Sequence, residues 1–210
     1  MIEVTGDLKT LIEENIHLIE NDEFERLYYY VSEAYPSVFI RKLSEVLLDS
    51  GINPLECLLS VPKKFLMLSL EFTSIDIPDH IKEIGESAFS GTILERIVLP
   101  KNLEQLGHVC FAKSDIKVLD CFKCKNDLYF GPGTCLSCEK LECIYLPNKI
   151  QITFEERSFQ NTPKLKEIIY NGRLEAFYIN CVFKEGWRYG SHNDNVLVRC
   201  IDGDRYINKF

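Results

Sequence analysis

From Asp7 to Leu59 apolar residues recur three and four positions apart, the spacing of one helical face: Leu8, Leu11, Ile12, Ile16 and Ile19, then Phe24, Leu27, Tyr28 and Val31. Pro36 interrupts the pattern. A third helix is predicted beyond it, capped by Ser37, with Phe39, Leu43, Val46 and Leu47 on its apolar face and Gly51 as its C-terminal stop. Asn53-Pro54 starts a fourth, short helix, because Asn caps well and Pro is tolerated in a first turn.

After Leu70 the period changes and the chain repeats itself. Ile75-Asp-Ile77-Pro78-x2-Ile81-x2-Ile84-Gly85-x2-Ala88-Phe89 returns as Ile97-Val-Leu99-Pro100-x2-Leu103-x2-Leu106-Gly107-x2-Cys110-Phe111. A third unit runs Ile116-x2-Leu119-Asp-Cys121, gains two residues, and resumes at Phe130-Gly131-x2-Thr134-Cys135-x2-Cys138. A fourth holds Leu141-x2-Ile144-Tyr-Leu146-Pro147, Phe154 and Ser158-Phe159-x2-Thr162, and a fifth begins Leu165-x2-Ile168-Ile-Tyr170. Apolar residues two apart face one side of a strand, so each unit supplies a short parallel strand burying Ile75/Ile77, Ile97/Leu99, Leu119/Cys121, Ile144/Leu146 or Ile168/Tyr170. Pro ends each strand, and the Gly after the next anchor is expected to permit a bend. One repeat cannot bury its own apolar edges, so neighbours stack and the ends need covers.

These units resemble BspA-like leucine-rich repeats over about residues 75–170. The stretch Ile168-Ile-Tyr-Asn-Gly172, with Phe177, Trp187 and Cys200-Ile-Asp-Gly203, is similar to the degenerate last unit of short members of that family, and Gly51-Ile-Asn-Pro-Leu55 with Val61-Pro62 is similar to their N-terminal cap. The fold class implied is an α+β repeat solenoid: about five short parallel strands, a helical N-terminal cap (residues 1–70), repeats (71–172) and an irregular β-rich C-terminal cap (173–210). Departures from the pattern are Glu155 where Gly is expected, Cys135 where Phe is expected, and the insertion in the third unit. The resemblance implies a binding scaffold without chemistry of its own.

The chemistry-bearing residues agree with that reading. Walker-type loops, G-x-S-x-G elbows and H-E-x-x-H are absent from the 210 residues. The histidines His17, His80, His108 and His192 are scattered, and His108 near Cys110 lacks a third partner for nucleophilic catalysis. Cys121-x2-Cys124-x10-Cys135-x2-Cys138 has the spacing of a structural zinc site. The repeat frame already explains Cys121, at the strand position of Leu99 and Leu146, and Cys138, at the position of Thr162. No cofactor is therefore expected, with zinc on these four residues as the alternative.

Net charge is −8, and it is unevenly placed: residues 1–60 carry 12 acidic and 4 basic side chains, whereas 61–210 carry 20 of each. Such a segment repels phosphate, so neither direct nucleic-acid binding nor membrane binding is expected. Nine cysteines, an odd number, without a visible export signal or an apolar run of membrane-spanning length point to a reducing, cytoplasmic setting. The function expected is a non-catalytic module that engages or sequesters another protein. The alternative is an acidic inhibitor whose helical segment, through Glu13, Glu14, Glu20, Asp22, Glu23 and Glu25, imitates nucleic acid. The binding surface is expected on the concave sheet, where two outward columns run across the repeats: Ser74, Arg96, Val118, Cys143, Glu167, and Asp76, Val98, Asp120, Tyr145, Ile169. From these Arg96, Val98, Val118, Asp120, Tyr145, Glu167 and Ile169 are the partner-binding candidates.

Overall fold

The computed structural model describes residues 37–188 and 195–208. The first two expected helices, and the acidic residues between Glu13 and Glu25, lie outside these residues. Helix α1 spans Ser37–Asp49, and among its described side chains Ser44 and Leu47 are completely buried. Its end is a Schellman motif: Gly51, at φ +77°, donates to Leu48 O, and Ile52 N donates to Leu47 O. A 3-10 turn follows at Pro54–Cys57, where Asn53 Oδ1 accepts from Leu55 N at 3.1 Å.

The chain then winds as a solenoid through two six-stranded sheets, passing once through each per turn. The first sheet contains β1 (Ser60–Val61), β2 (Glu83–Ile84), β4 (Gln105–Leu106), β6 (Leu128–Phe130), β8 (Ile152–Phe154) and β10 (Cys181–Phe183), adjacent in that order. The second contains β3 (Arg96–Val98), β5 (Val118–Asp120), β7 (Cys143–Leu146), β9 (Glu167–Tyr170), β11 (Asn195–Cys200) and β12 (Gly203–Asn208). Every pairing is parallel except β11 with β12, a terminal hairpin. Helix α2 (Leu174–Asn180) precedes β10 and buries Phe177.

Three features depart from the expectation. The repeats build the first sheet where the sequence predicts only bends: the anchors Ile84 and Leu106 sit on two-residue strands, too short to show a period of two. The first expected strand, around Ile75 and Ile77, forms no ladder. Neighbouring Glu95 N donates to Thr73 O there, but the Asp76 carbonyl is taken by Asn53 Nδ2 at 3.0 Å, and Pro78 has no N–H to offer.

The third departure concerns the repeated glycines. Gly85, Gly107 and Gly131 are not placed for a bend, and their φ angles are not left-handed. They let successive turns touch backbone to backbone. A Cβ on Gly107 would meet Ile84 O and Glu86 N at 2.8 Å, and one on Gly85 would meet Val61 O and Lys63 N at 2.7 Å. The ladder crosses at this contact, with Gly107 N donating to Ile84 O and Gly131 N to Leu106 O.

The corners leaving the first sheet share a second device. Each has two left-handed residues four apart: Lys64 and Leu68, Ser87 and Gly91, Val109 and Lys113, Gly133 and Ser137, Arg157 and Asn161. Between them the chain turns while alternate N–H groups still donate to the next repeat, as Ser87, Phe89 and Gly91 do to His108 O, Cys110 O and Ala112 O. Left-handed geometry costs a β-branched residue such as Val109 roughly 1–2 kcal/mol, and the inter-repeat bonds hold it there.

One continuous core fills the space between the sheets, from Leu47 to Ile207. The corner residues Phe65, Phe89 and Phe111 form a column, with Phe65 edge-on to Phe89 at 6.0 Å and Phe89 stacked on Phe111 at 5.6 Å between centroids. Cys135 interrupts that column. In the same repeat Phe130 replaces the aliphatic Ile84 and Leu106, reaching Phe154 at 4.6 Å and Phe159 at 5.9 Å, so a large ring in the strand accompanies a small side chain at the corner. Trp187, with Phe183 and Phe159 against it, closes the C-terminal end.

Candidate binding face and the cysteine positions

The outer face of the second sheet is built by alternation. Ile97, Leu119, Ile144 and Ile168 point into the core, so the residues on either side of each point outward. Strand register aligns them: Arg96, Val118, Cys143, Glu167 and Leu197 form one column, and Val98, Asp120, Tyr145, Ile169 and Arg199 form the other. All seven candidates from the sequence are therefore neighbours on one surface. Ser74 and Asp76 lie off the paired strands, because the first expected strand is missing from the ladder.

Charges on this face are answered by neighbours. Arg96 is paired with Asp120, and its guanidinium carbon lies 5.9 Å from the Tyr145 ring centroid. Arg199 reaches Glu167 at 2.9 Å and Asp204 at 3.1 Å. Exposed pairs of this kind contribute little stability, about 0–1 kcal/mol each, but they leave the face without a strong field. Tyr145 stands on the strand between the two charged groups, Val98, Val118, Ile169 and Leu197 lie on the flanking strands of the same face, and the Phe122 ring meets Tyr145 edge-on at 5.0 Å. Cys143 and Tyr145 stay neutral at physiological pH: burial, with Glu167 nearby, pushes the Cys143 thiol up to about 11, and Cys143 beside it raises the Tyr145 phenol. What remains is an apolar and aromatic strip, half-buried at Val118, Tyr145, Ile169 and Leu197 and exposed at Val98 and Phe122, beside the Arg96–Asp120 pair and the cluster of Arg199 with Glu167 and Asp204.

Three residues of this strip were not read from the sequence. Phe122 stands where other units carry Pro100 and Pro147, a substitution visible in the repeat frame; its backbone N donates to Asp120 Oδ1 at 3.1 Å. Leu197 and Arg199 lie in the tail, where the alternation of buried Val196 and Val198 with outward neighbours was the available signal.

The four zinc-candidate cysteines take different positions in the repeat frame, and Cys135 and Cys138 alone are brought into hydrogen-bonding contact with each other. Cys121 holds the inward strand position and Cys135 the corner position. Cys124 Sγ donates to Pro100 O at 3.4 Å and Cys138 Sγ to Phe111 O at 3.0 Å, in the column where Thr92 and Thr162 bond to Phe89 O and Phe159 O. Burial pushes the Cys110, Cys121 and Cys135 thiols well up, and the Cys124 thiol up to about 12. Among the described residues no three His, Cys, Asp or Glu side chains gather as a metal-holding group. His108 is exposed and faces Glu86 at 4.0 Å while Cys110 is fully buried, so their closeness in sequence does not become a nucleophile and base pair. No described helix is long and apolar enough to cross a membrane.

A comparison with curated proteins gives no match. A family model, the BspA type leucine rich repeat region, matches residues 60–185 in six copies, running past both residue 71 and residue 172; such repeats are commonly protein-interaction modules and typically non-catalytic. With more than half of its length spanned by these copies, and all of the first sheet and four strands of the second lying within them, the chain belongs to the BspA-type leucine-rich repeat family.

Proposed function

We propose that the chain is a non-catalytic scaffold that engages another protein through the outer face of its second sheet. The observation that carries this reading is the strip of Val118, Phe122, Tyr145, Ile169 and Leu197, beside which Arg96 is paired with Asp120, and Arg199 with Glu167 and Asp204. A face without a strong field gives no purchase to a polyanion, whereas aromatic groups flanked by Arg side chains make the kind of anchors that carry protein–protein affinity. The outward column of the first sheet is poorer in such anchors, holding Glu83, Gln105, Tyr129, Thr153 and Val182 in register. The partner suited to this strip offers apolar side chains and a polar rim.

The test is affinity capture with the full chain, followed by titration calorimetry with the purified partner. Tyr145→Ala and Arg96→Ala should each weaken binding by roughly 1–3 kcal/mol with little change in Tm. Raising salt should alter the affinity only slightly, because few net charges are involved. Unchanged affinity for a folded double variant, or steep loss with salt, would move the binding site to the acidic N-terminal residues.

A further inference from the structure

The two ends of the second sheet are treated differently. At the β3 end the segment around Thr73 lies alongside and accepts from Glu95 N. At the other end the last strand is β12, and no described strand pairs with its outer edge. The backbone groups on that edge follow from two observations. Leu197 N donates to Lys166 O, so the Leu197 backbone turns toward β9, and alternation turns Val196 and Val198 toward β12. Their register partners, Ile207 and Arg205, close the hairpin ladder. Asp204 and Tyr206 are left with N–H and C=O groups pointing outward. An edge of six residues without Pro, Lys or a bulge is guarded against strand pairing only by the charges of Asp204 and Arg205. Tyr206 on it is 65% exposed, and Tyr178, Ile179 and Ile201 add exposed apolar surface in the same terminal region, where α2 packs on β12.

We propose that β12 pairs antiparallel with β12 of a second copy of this chain, across a twofold axis through Tyr206, joining the two second sheets edge to edge. Self-pairing of antiparallel strands puts one residue opposite itself, in either a hydrogen-bonded or a non-hydrogen-bonded pair. An axis at Arg205 would oppose two guanidinium groups, and one at Ile207 would pair only the last three residues of the strand. An axis at Asp204 would set two carboxylates face to face. An axis at Tyr206 exchanges two N–H···O bonds between the tyrosines, places Asp204 across from position 208, and sets Arg205 opposite the partner's Ile207, with no like charges opposed. The edge is thus complementary to itself in one register.

The experiment uses the full chain. Sedimentation velocity over roughly a hundredfold range of concentration should show a monomer–dimer equilibrium. Tyr206→Pro removes the outward N–H without costing a bond to β11, and Tyr206→Lys opposes two ammonium groups; both variants should be monomeric over the same range. In paired strands the two Cα atoms at position 206 would be about 5.5 Å apart, within disulfide reach, whereas those at 204 would be roughly 13 Å apart. Under mild oxidation Tyr206→Cys should therefore form a covalent dimer absent from the parent, and Asp204→Cys should not. A parent chain monomeric throughout, a dimer that survives both substitutions, or equal cross-linking at 204 and 206 would overturn the proposal. If Tyr206→Pro fails to fold, Tyr206→Lys and the cross-linking pair decide the matter.

Discussion

Gly107→Ala places one methyl group where two turns of the solenoid touch. The added Cβ would stand 2.8 Å from Ile84 O and Glu86 N and 2.9 Å from Gly85 C, all backbone atoms that cannot rotate away. Ordinary carbon contacts lie near 3.5 Å or beyond, so the turns must separate by about 0.7 Å. The Gly107 N to Ile84 O bond, now 2.7 Å, would stretch to about 3.4 Å, outside the normal range. Overpacking of this kind costs roughly 1–3 kcal/mol and the lost bond about 1 kcal/mol, while the smaller chain entropy of Ala returns about 0.4–1 kcal/mol. The net expectation is about 2–3 kcal/mol, or roughly 4–12 °C in Tm for a domain of this size. Thermal and urea unfolding read the change. Glu155→Gly is the control, since Glu155 N makes the same ladder bond, to Phe130 O, in a repeat that already accommodates a side chain; it should shift stability by no more than about 1 kcal/mol. A Gly107→Ala protein melting within about a degree of the parent would refute the close-contact account of the glycine column.

Cys135→Phe, which restores the corner aromatic of the repeat, should destabilise by roughly 1–3 kcal/mol through overpacking, and Phe130→Leu in the same chain should recover much of that loss; additive effects in urea titrations would show that the two positions do not share space. Val109→Gly should be neutral to stabilising, because relief of a left-handed β-branched residue outweighs or matches the entropy of Gly, and a loss above about 1 kcal/mol would contradict that. Among the described cysteines, Cys143 and Cys200, both partly exposed, should react with a thiol reagent in the native state, while Cys110, Cys121, Cys124, Cys135, Cys138 and Cys181 should require denaturant. Cys124 and Cys181 are neutral in the fold, with burial raising both from 9.0 to about 12, so their contribution to stability is complete below pH 9 and is lost as pH rises from there toward 12. Melting curves followed across that interval should fall less steeply in Cys124→Ala than in the parent.

The second sheet and its outward columns were legible in the sequence because L-x-x-I-x-L repeats at nearly constant spacing, which fixes both inward facing and register. Once Ile97, Leu119, Ile144 and Ile168 align, their neighbours align too, and Tyr145 must stand beside Asp120 and Ile169. The first sheet was not legible, since a strand such as Gln105–Leu106 has no room for a period and gains its identity only from Glu83–Ile84 beside it. Left-handed corners escaped for a related reason: Leu68, Val109 and Lys113 carry no turn signature and are held by bonds to the next repeat. Phe122 reads as a missing Pro until its ring is seen against Tyr145. The tail reads as irregular because its two strands lie beyond the last complete repeat, although Val196 and Val198 alternate as β9 does.

Photo-cross-linking of the partner complex locates the binding surface most directly. A benzophenone amino acid would be placed singly at Val118 or Ile169, on the outer face of the second sheet, and at Gln105, on the outer face of the first. The account predicts covalent capture of the partner from positions 118 and 169 and none from 105. Capture from 105 alone, with folded and binding-competent protein at all three positions, would contradict it.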